Sequence, residues 1–291
     1  MTEDALASLL DVRVRSPHRI AEAAAARTRP ADLTGQTGRL LLVAADHPAR
    51  GAMRAGDRPM AMADRMDMLR RLVIALRRPG VDGVLGTADV LEDLLLLGAL
   101  ESKVVIGSMN RGGLAGTTFE IDDRFTGYRV DVVREMGWQG GKMLARIDPE
   151  DAATATTLEA CARAVDGLAS QRLMAMVEPF IVHRVDGRVR NVLTPEAVIR
   201  SSAVAAGLGS TSAYTWLKLP VVDDMEAVLA ATTLPVLLLG GEVAADQGHQ
   251  LAQWRKALAV PSVRGMVAGR TLLYPPDDDV AAAVDATVGL M

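Results

Sequence analysis

Four residues of this 291-residue chain are of types and in settings suited to acid–base or nucleophilic chemistry: Asp46, Lys142, Glu178 and Lys218. Lys218 lies in Tyr-Thr-Trp-Leu-Lys-Leu-Pro (214–220), with apolar residues on both sides. Burying an ammonium there is costly, and desolvation lowers its pKa. An amine that has lost its proton is a nucleophile able to form a Schiff base with a carbonyl substrate. The alternative is a lysine whose stem packs on apolar surface while its head reaches water. Of the 32 lysines and arginines only four are lysine: Lys103, Lys142, Lys218 and Lys256. Codon bias accounts for that scarcity, but it narrows the search for an amine nucleophile. Lys103 and Lys256 have polar neighbours and read as solvated. Lys142 follows Gly140-Gly141 and either sits deep beside Lys218 or marks the lower rim of a sheet. Glu178 precedes Pro179 and could be a loop carboxylate. Asp46 opens the polar segment Asp46-His47-Pro48-Ala49-Arg50-Gly51 and could cap a helix.

Elements able to bring these groups together recur along the chain. Eight short apolar runs read as strands: 40–46, 81–86, 104–108, 141–147, 173–179, 213–220, 234–240 and 264–269. They are continuous rather than alternating, as in parallel strands covered on both faces. The segments between them read as helices. Met62, Met66, Leu69, Val73 and Leu76 repeat at helical spacing. Asp148-Pro149-Glu150 and Thr194-Pro195-Glu196 each look like an N-cap followed by proline at the first helical position. Gly207 is placed to end the second of these helices, and Asp223 with Glu226 forms a capping pair. Eight strand–helix units in this length predict a (β/α)8 TIM barrel, typically about 250 residues. Residues 1–38 form a surplus helical extension covering the barrel's base, and 39–291 form one barrel domain. A doubly wound open sheet is the alternative, but no G-x-G-x-x-G follows the first strand. The polar connection between Ser108 and Gly140 either overhangs an active site or is a disordered insertion.

In such a barrel, catalytic groups sit at the C-terminal ends of strands, and alternate residues point inward. Asp46 ends the inward face of the first strand and Glu178 that of the fifth. Lys218 stands near the end of the sixth, so these groups converge on one cavity, joined by Lys142 if it lies deep. His47, Arg146 and Trp216 stand on the same faces or at the same ends, and are candidates for contacting substrate. The last two strands run into Gly240-Gly241 and Gly269-Arg270. Loops after strands seven and eight are the usual phosphate site of this fold. Glycine lets the backbone approach the anion, and Arg270 adds a charged fork.

Composition excludes other classes. A net charge of −4 lacks the basic footprint of a nucleic-acid binder. One cysteine, Cys161, rules out a disulfide framework and a cysteine metal cluster. The four histidines have no metal-ligand spacing, so neither metal nor other cofactor is expected. No apolar run approaches the ~20 residues of a membrane span and no signal-peptide pattern opens the chain, which predicts a cytoplasmic protein. Nothing marks a subunit interface, though barrels commonly associate.

Taken in order, Ala45-Asp46-His47, Gly-Gly-Lys142-Met-Leu, Val-Glu178-Pro, Trp-Leu-Lys218, Gly240-Gly241 and Gly269-Arg270 resemble a family. It is the class I aldolase superfamily of fructose-bisphosphate, tagatose-bisphosphate and deoxyribose-phosphate aldolases. The resemblance implies Lys218 as Schiff-base former, with Glu178, Lys142 and Asp46 as the companion acid, base and charged groups. It implies a phosphorylated ketose or keto acid as substrate. The likeness is nearest to actinobacterial inositol-catabolism proteins, which implies cleavage of 2-deoxy-5-keto-gluconate 6-phosphate to dihydroxyacetone phosphate and malonate semialdehyde. The fructose-bisphosphate branch carries a tyrosine acid/base on its fifth strand; Glu178 stands near that place here. The alternatives are another phosphosugar or sulfosugar aldolase or transaldolase, a phosphosugar isomerase or epimerase, and a regulatory binder of sugar phosphates.

Overall fold

The computed structural model describes residues 3–34, 37–244 and 246–291. Eight parallel strands close into a barrel: β1 (Leu40–Ala44), β2 (Gly83–Gly86), β3 (Val104–Ser108), β4 (Gly140–Ile147), β5 (Met174–Val185), β7 (Thr215–Leu219), β8 (Val236–Leu239) and β9 (Val263–Ala268). The β1–β9 and β4–β5 ladders complete the ring. Helices follow the strands, as the strand–helix alternation predicts. They include α3 (Arg65–Leu76), α4 (Ala88–Leu96), α6 (Ala153–Ser170), α7 (Pro195–Ala206), α8 (Met225–Ala230) and α9 (Gln247–Leu258).

The continuous apolar runs are explained by burial on both faces. All five residues of β1 are buried. Leu40, Leu42 and Ala44 point into the barrel, while Leu41 and Val43 pack under the helices. Leu85, Ile106, Met176 and Leu237 fill the interior with them. This apolar plug forms the floor beneath the strand ends. No helix among the described residues is long and apolar enough to cross a membrane.

Several local expectations change. Helix α6 begins at Ala153, not at Pro149. Asp148 instead accepts from the Glu150 amide in a local turn, and Thr154 Oγ1 donates to the Asp148 carbonyl. Asp224, not Asp223, caps α8 by accepting from the Ala227 amide. Thr194 does cap α7, and Gly207 ends it. The fifth strand does not stop at Pro179. It continues to Val185 and turns back as β6 (Arg188–Asn191), an antiparallel hairpin rising from the barrel rim.

The N-terminal helices α1 (Glu3–Arg15) and α2 (Arg19–Ala26) pack against α4. Arg13 pairs there with Asp93 at 2.7 Å and Glu92 at 3.2 Å. The base is closed by the segment after α2. Arg27 donates to the carbonyls of Leu100, Lys103 and Gly137, which lie just ahead of β3 and β4. Leu33 then packs against the interior plug.

Candidate active site

Each functional side chain stands one step above the plug. On β5, Met174 and Met176 point inward and Glu178 follows on the same face; on β7, Trp216 and then Lys218 do the same. Asp46 is two residues beyond Ala44, where β1 ends. Lys142 starts lower, in register with Met176, and its stem rises to the carboxylates. The deep placement of Lys142 is therefore the one realised, and it is fully buried.

The four side chains form one ionic chain. Lys218 Nζ lies 2.7 Å from Glu178 Oε1. Glu178 Oε2 pairs with Lys142, which lies 3.4 Å from Asp46 Oδ2. Arg111 closes the far end by pairing with Asp46. Ser108 Oγ donates to Asp46 Oδ2 at 3.0 Å and accepts from Arg111 Nε at 3.2 Å. Two carboxylates thus face three cations. Releasing one proton from a lysine would leave two charges of each sign, the balance a buried cluster favours.

Electrostatics act in that direction. Burial pulls both lysines below the usual amine range; Glu178 opposes this, and Arg111 adds to the lowering. Burial alone would raise the Glu178 carboxyl, but Lys142 first and then Lys218 hold it well below its usual range. Burial brings the Arg111 guanidinium to about 10, still charged at neutral pH. Burial, then the charge of Arg270, keeps the His47 imidazole well below its ordinary value, hence neutral.

These groups border a cavity of about 260 Å³, small-molecule in scale. Lys218, Glu178, Asp46 and His47 line it, whereas Lys142 lies beneath. Lys218 is therefore the amine a substrate can reach. Asp46 Oδ1 and His47 Nδ1, 4.0 Å apart, have no hydrogen-bond partner. Unpaired buried polar atoms are costly unless a ligand or water meets them, so both atoms are open to a partner from the cavity.

Gly240, Gly241, Gly269 and Arg270 border the same cavity on the β8–β9 side. Gly241 has φ +71, in the left-handed region that favours glycine. A Cβ at Gly269 would lie 2.5 Å from the Ala44 carbonyl oxygen. The backbone approaches closely because neither position carries a side chain.

Two expected contact residues are placed otherwise. Trp216 does not border the cavity; it joins the plug beside Leu33, one step below Lys218. Arg146 is engaged with Asp123 and Glu120 and borders an adjoining cavity that shares Arg50, Leu144 and Phe180 with the first. It fastens the polar connection after β3 onto the barrel, so that connection is a folded structure and not a disordered insertion. Asn110 adds to this fastening, accepting from the Leu144 amide at 2.7 Å and donating to the Leu144 carbonyl at 2.6 Å. Arg111 and Ser108 join the centre beyond the residues expected from strand faces. The signal was present in Asn110-Arg111-Gly112-Gly113, polar residues directly after a strand, where the strand-end rule applies equally.

Fold and site together define a (β/α)8 barrel with a buried lysine–carboxylate centre at the C-terminal ends of its strands. The chain belongs to the Cgl0159-like family, whose pattern matches residues 38–288. It is 51% identical to Cgl0159 from Corynebacterium glutamicum, a crystal structure, covering 100% of this chain and 97% of that one with a TM-score of 0.97. An archaeal fructose 1,6-bisphosphate aldolase superposes with a TM-score of 0.65 at 20% identity, covering 93% of this chain and 98% of that one. A Schiff-base-forming fructose-1,6-bisphosphate aldolase gives 0.64 at 20% identity, covering 93% and 99%. At that identity the aldolase likeness shows the fold. Among curated proteins no relative matches.

Proposed function

We propose that the protein is a class I aldolase acting on a phosphorylated ketose or keto acid. The carrying observation is Lys218: a buried amine on the cavity wall, 2.7 Å from a carboxylate. Neutral Lys218 Nζ attacks the ketone carbon, forming a C–N bond, and the ketone oxygen takes up a proton to give a carbinolamine. Loss of water gives an iminium. A base takes the proton of the hydroxyl on the carbon to be released. The C–C electrons move into the iminium, leaving an enamine and a free aldehyde. Protonation of the enamine and hydrolysis regenerate Lys218. Glu178 touches both lysines and is placed to carry protons to and from the nitrogen, with Lys142 and Asp46 completing the relay. Asp46 Oδ1 and His47 Nδ1 hold substrate hydroxyls. The Gly240-Gly241 and Gly269-Arg270 loops hold the phosphate. Residues 39–291 are the catalytic unit.

Borohydride reduction in the presence of dihydroxyacetone phosphate, followed by peptide mapping, tests the reading. A reduced adduct on Lys218 is expected. Its absence with dihydroxyacetone phosphate, fructose 1,6-bisphosphate and 2-deoxy-5-keto-gluconate 6-phosphate alike would sink the mechanism. A phosphosugar isomerase on the same barrel would leave no adduct. Cleavage assays on the same compounds rank them, with 2-deoxy-5-keto-gluconate 6-phosphate the preferred candidate.

A further inference from the structure

The seat assigned to phosphate already faces an anion. Arg270 Nη2 lies 2.7 Å from Glu242 Oε1. Arg270 Nε is buried without a partner, and its Nη1 reaches only the Arg54 carbonyl, at 3.5 Å. Glu242 is thus the one close partner of this guanidinium among the described residues.

The two side chains are held differently. Arg270 is 16% exposed and Glu242 69%. The backbone around Glu242 is anchored, because Gln250 Nε2 donates to the carbonyls of both Gly240 and Glu242, at 3.2 and 3.1 Å. The carboxylate can therefore leave by side-chain rotation into water while the glycine turn and Arg270 stay in place. Glu242 regains water on leaving and the incoming phosphate keeps the guanidinium paired, so the exchange costs little. A phosphate dianion can bond the guanidinium bidentately through charge-assisted bonds, which are the stronger kind. It cannot do so with a carboxylate still at the same nitrogen, because like charges repel.

We infer that Glu242 is a displaceable counter-ion which decides what head group the seat accepts. A dianion gains Arg270 by expelling Glu242. An uncharged hydroxyl does not displace it, and so receives no help from Arg270. Glu242 acts through Arg270 and is a specificity-determining residue. The inference rests on the phosphate seat proposed above.

The test is titration of inorganic phosphate into the full-length protein at fixed ionic strength, followed by calorimetry. Wild type, Glu242→Gln and Arg270→Gln are compared, with Glu242→Asp as a second variant and circular dichroism as the folding control. Removing the competing charge should tighten phosphate binding up to ~5-fold, the equivalent of a surface ion pair. Arg270→Gln should abolish it, and Glu242→Asp should stay near wild type. Equal affinity in wild type and Glu242→Gln, with loss in Arg270→Gln, would overturn the role of Glu242 and leave the seat standing. Absence of phosphate binding in both wild type and Glu242→Gln would overturn the seat and the inference together.

Discussion

Glu178 lies between the two buried lysines, with Oε1 2.7 Å from Lys218 Nζ and Oε2 paired with Lys142. One carboxylate therefore bears on the protonation of both amines. Burial lowers the Lys218 pKa, and Glu178 is the charge that most opposes the lowering. Glu178→Gln removes that opposition, so the Lys218 pKa falls further. The acid limb of the pH profile for borohydride-trappable adduct formation should move to lower pH. Turnover should drop by roughly 10²–10⁴, the usual contribution of a positioned acid–base group. An acid limb that moves to higher pH would remove Glu178 from this role.

Arg111 predicts the opposite sign. Its positive charge lowers both lysines and lies against Asp46. Arg111→Gln should raise the Lys218 pKa and move the same acid limb to higher pH. Breaking one member of a buried ion pair costs about 3–5 kcal/mol. The low end is expected here, because Asp46 keeps Lys142 at 3.4 Å and the Ser108 hydroxyl at 3.0 Å. Chemical denaturation measures the cost. Glu178→Gln and Arg111→Gln moving the limb in the same direction would contradict the charge arrangement.

Gly269 packs the β8–β9 side of the cavity against the strand end that leads to Asp46. A Cβ there would meet the Ala44 carbonyl oxygen at 2.5 Å and His47 Cε1 at 2.9 Å. The first obstacle is backbone at the end of β1, which cannot rotate aside. Gly269→Ala should cost about 1–3 kcal/mol, as overpacking does. It should also displace His47 and the strand end that carries Asp46. Adduct formation on Lys218 should therefore slow more than the thermal midpoint shift alone explains. Unchanged kinetics in a destabilised variant would show that the two sides of the cavity are not coupled.

The barrel was legible because parallel strands buried on both faces leave continuous apolar runs, and β1 to β9 each left one except β6. That strand is four residues, Arg188–Asn191, exposed or partly so, and carries no apolar signature. Lys218, Glu178 and Asp46 were legible because strand periodicity fixes which residues share an inward face. The same periodicity does not say at what height the plug ends, so it puts Trp216 among the substrate contacts although the side chain belongs to the floor. Periodicity gives Arg146 a face and not its partners. Its partners Glu120 and Asp123 lie 26 and 23 residues away in a loop whose path no local pattern encodes. Arg111 stands three residues past the end of β3, beyond the alternation that assigns inward faces, and only its place after a strand end points to it.

Stability should depend on pH through the same centre. Burial lowers both Lys142 and Lys218 from 10.5 in the folded protein. Between the lowered values and 10.5 the unfolded chain binds more protons than the folded one, so folding stability rises with pH across that window. Glu178 works at the other end. Its carboxyl is held below 4.5, so its contribution is present above that value and is lost as pH falls through the lowered one. Lys142→Met removes one of the two titrating amines and leaves Glu178 paired with Lys218. Urea midpoints for the variant should rise less steeply between pH 7 and 10 than those of the wild type. The acid side should also change, because Lys142 is the first charge holding Glu178 down. Without it the Glu178 pKa rises, and acid destabilisation should begin at higher pH. A variant whose midpoints follow the wild-type pH curve at both ends would show that Lys142 carries neither effect.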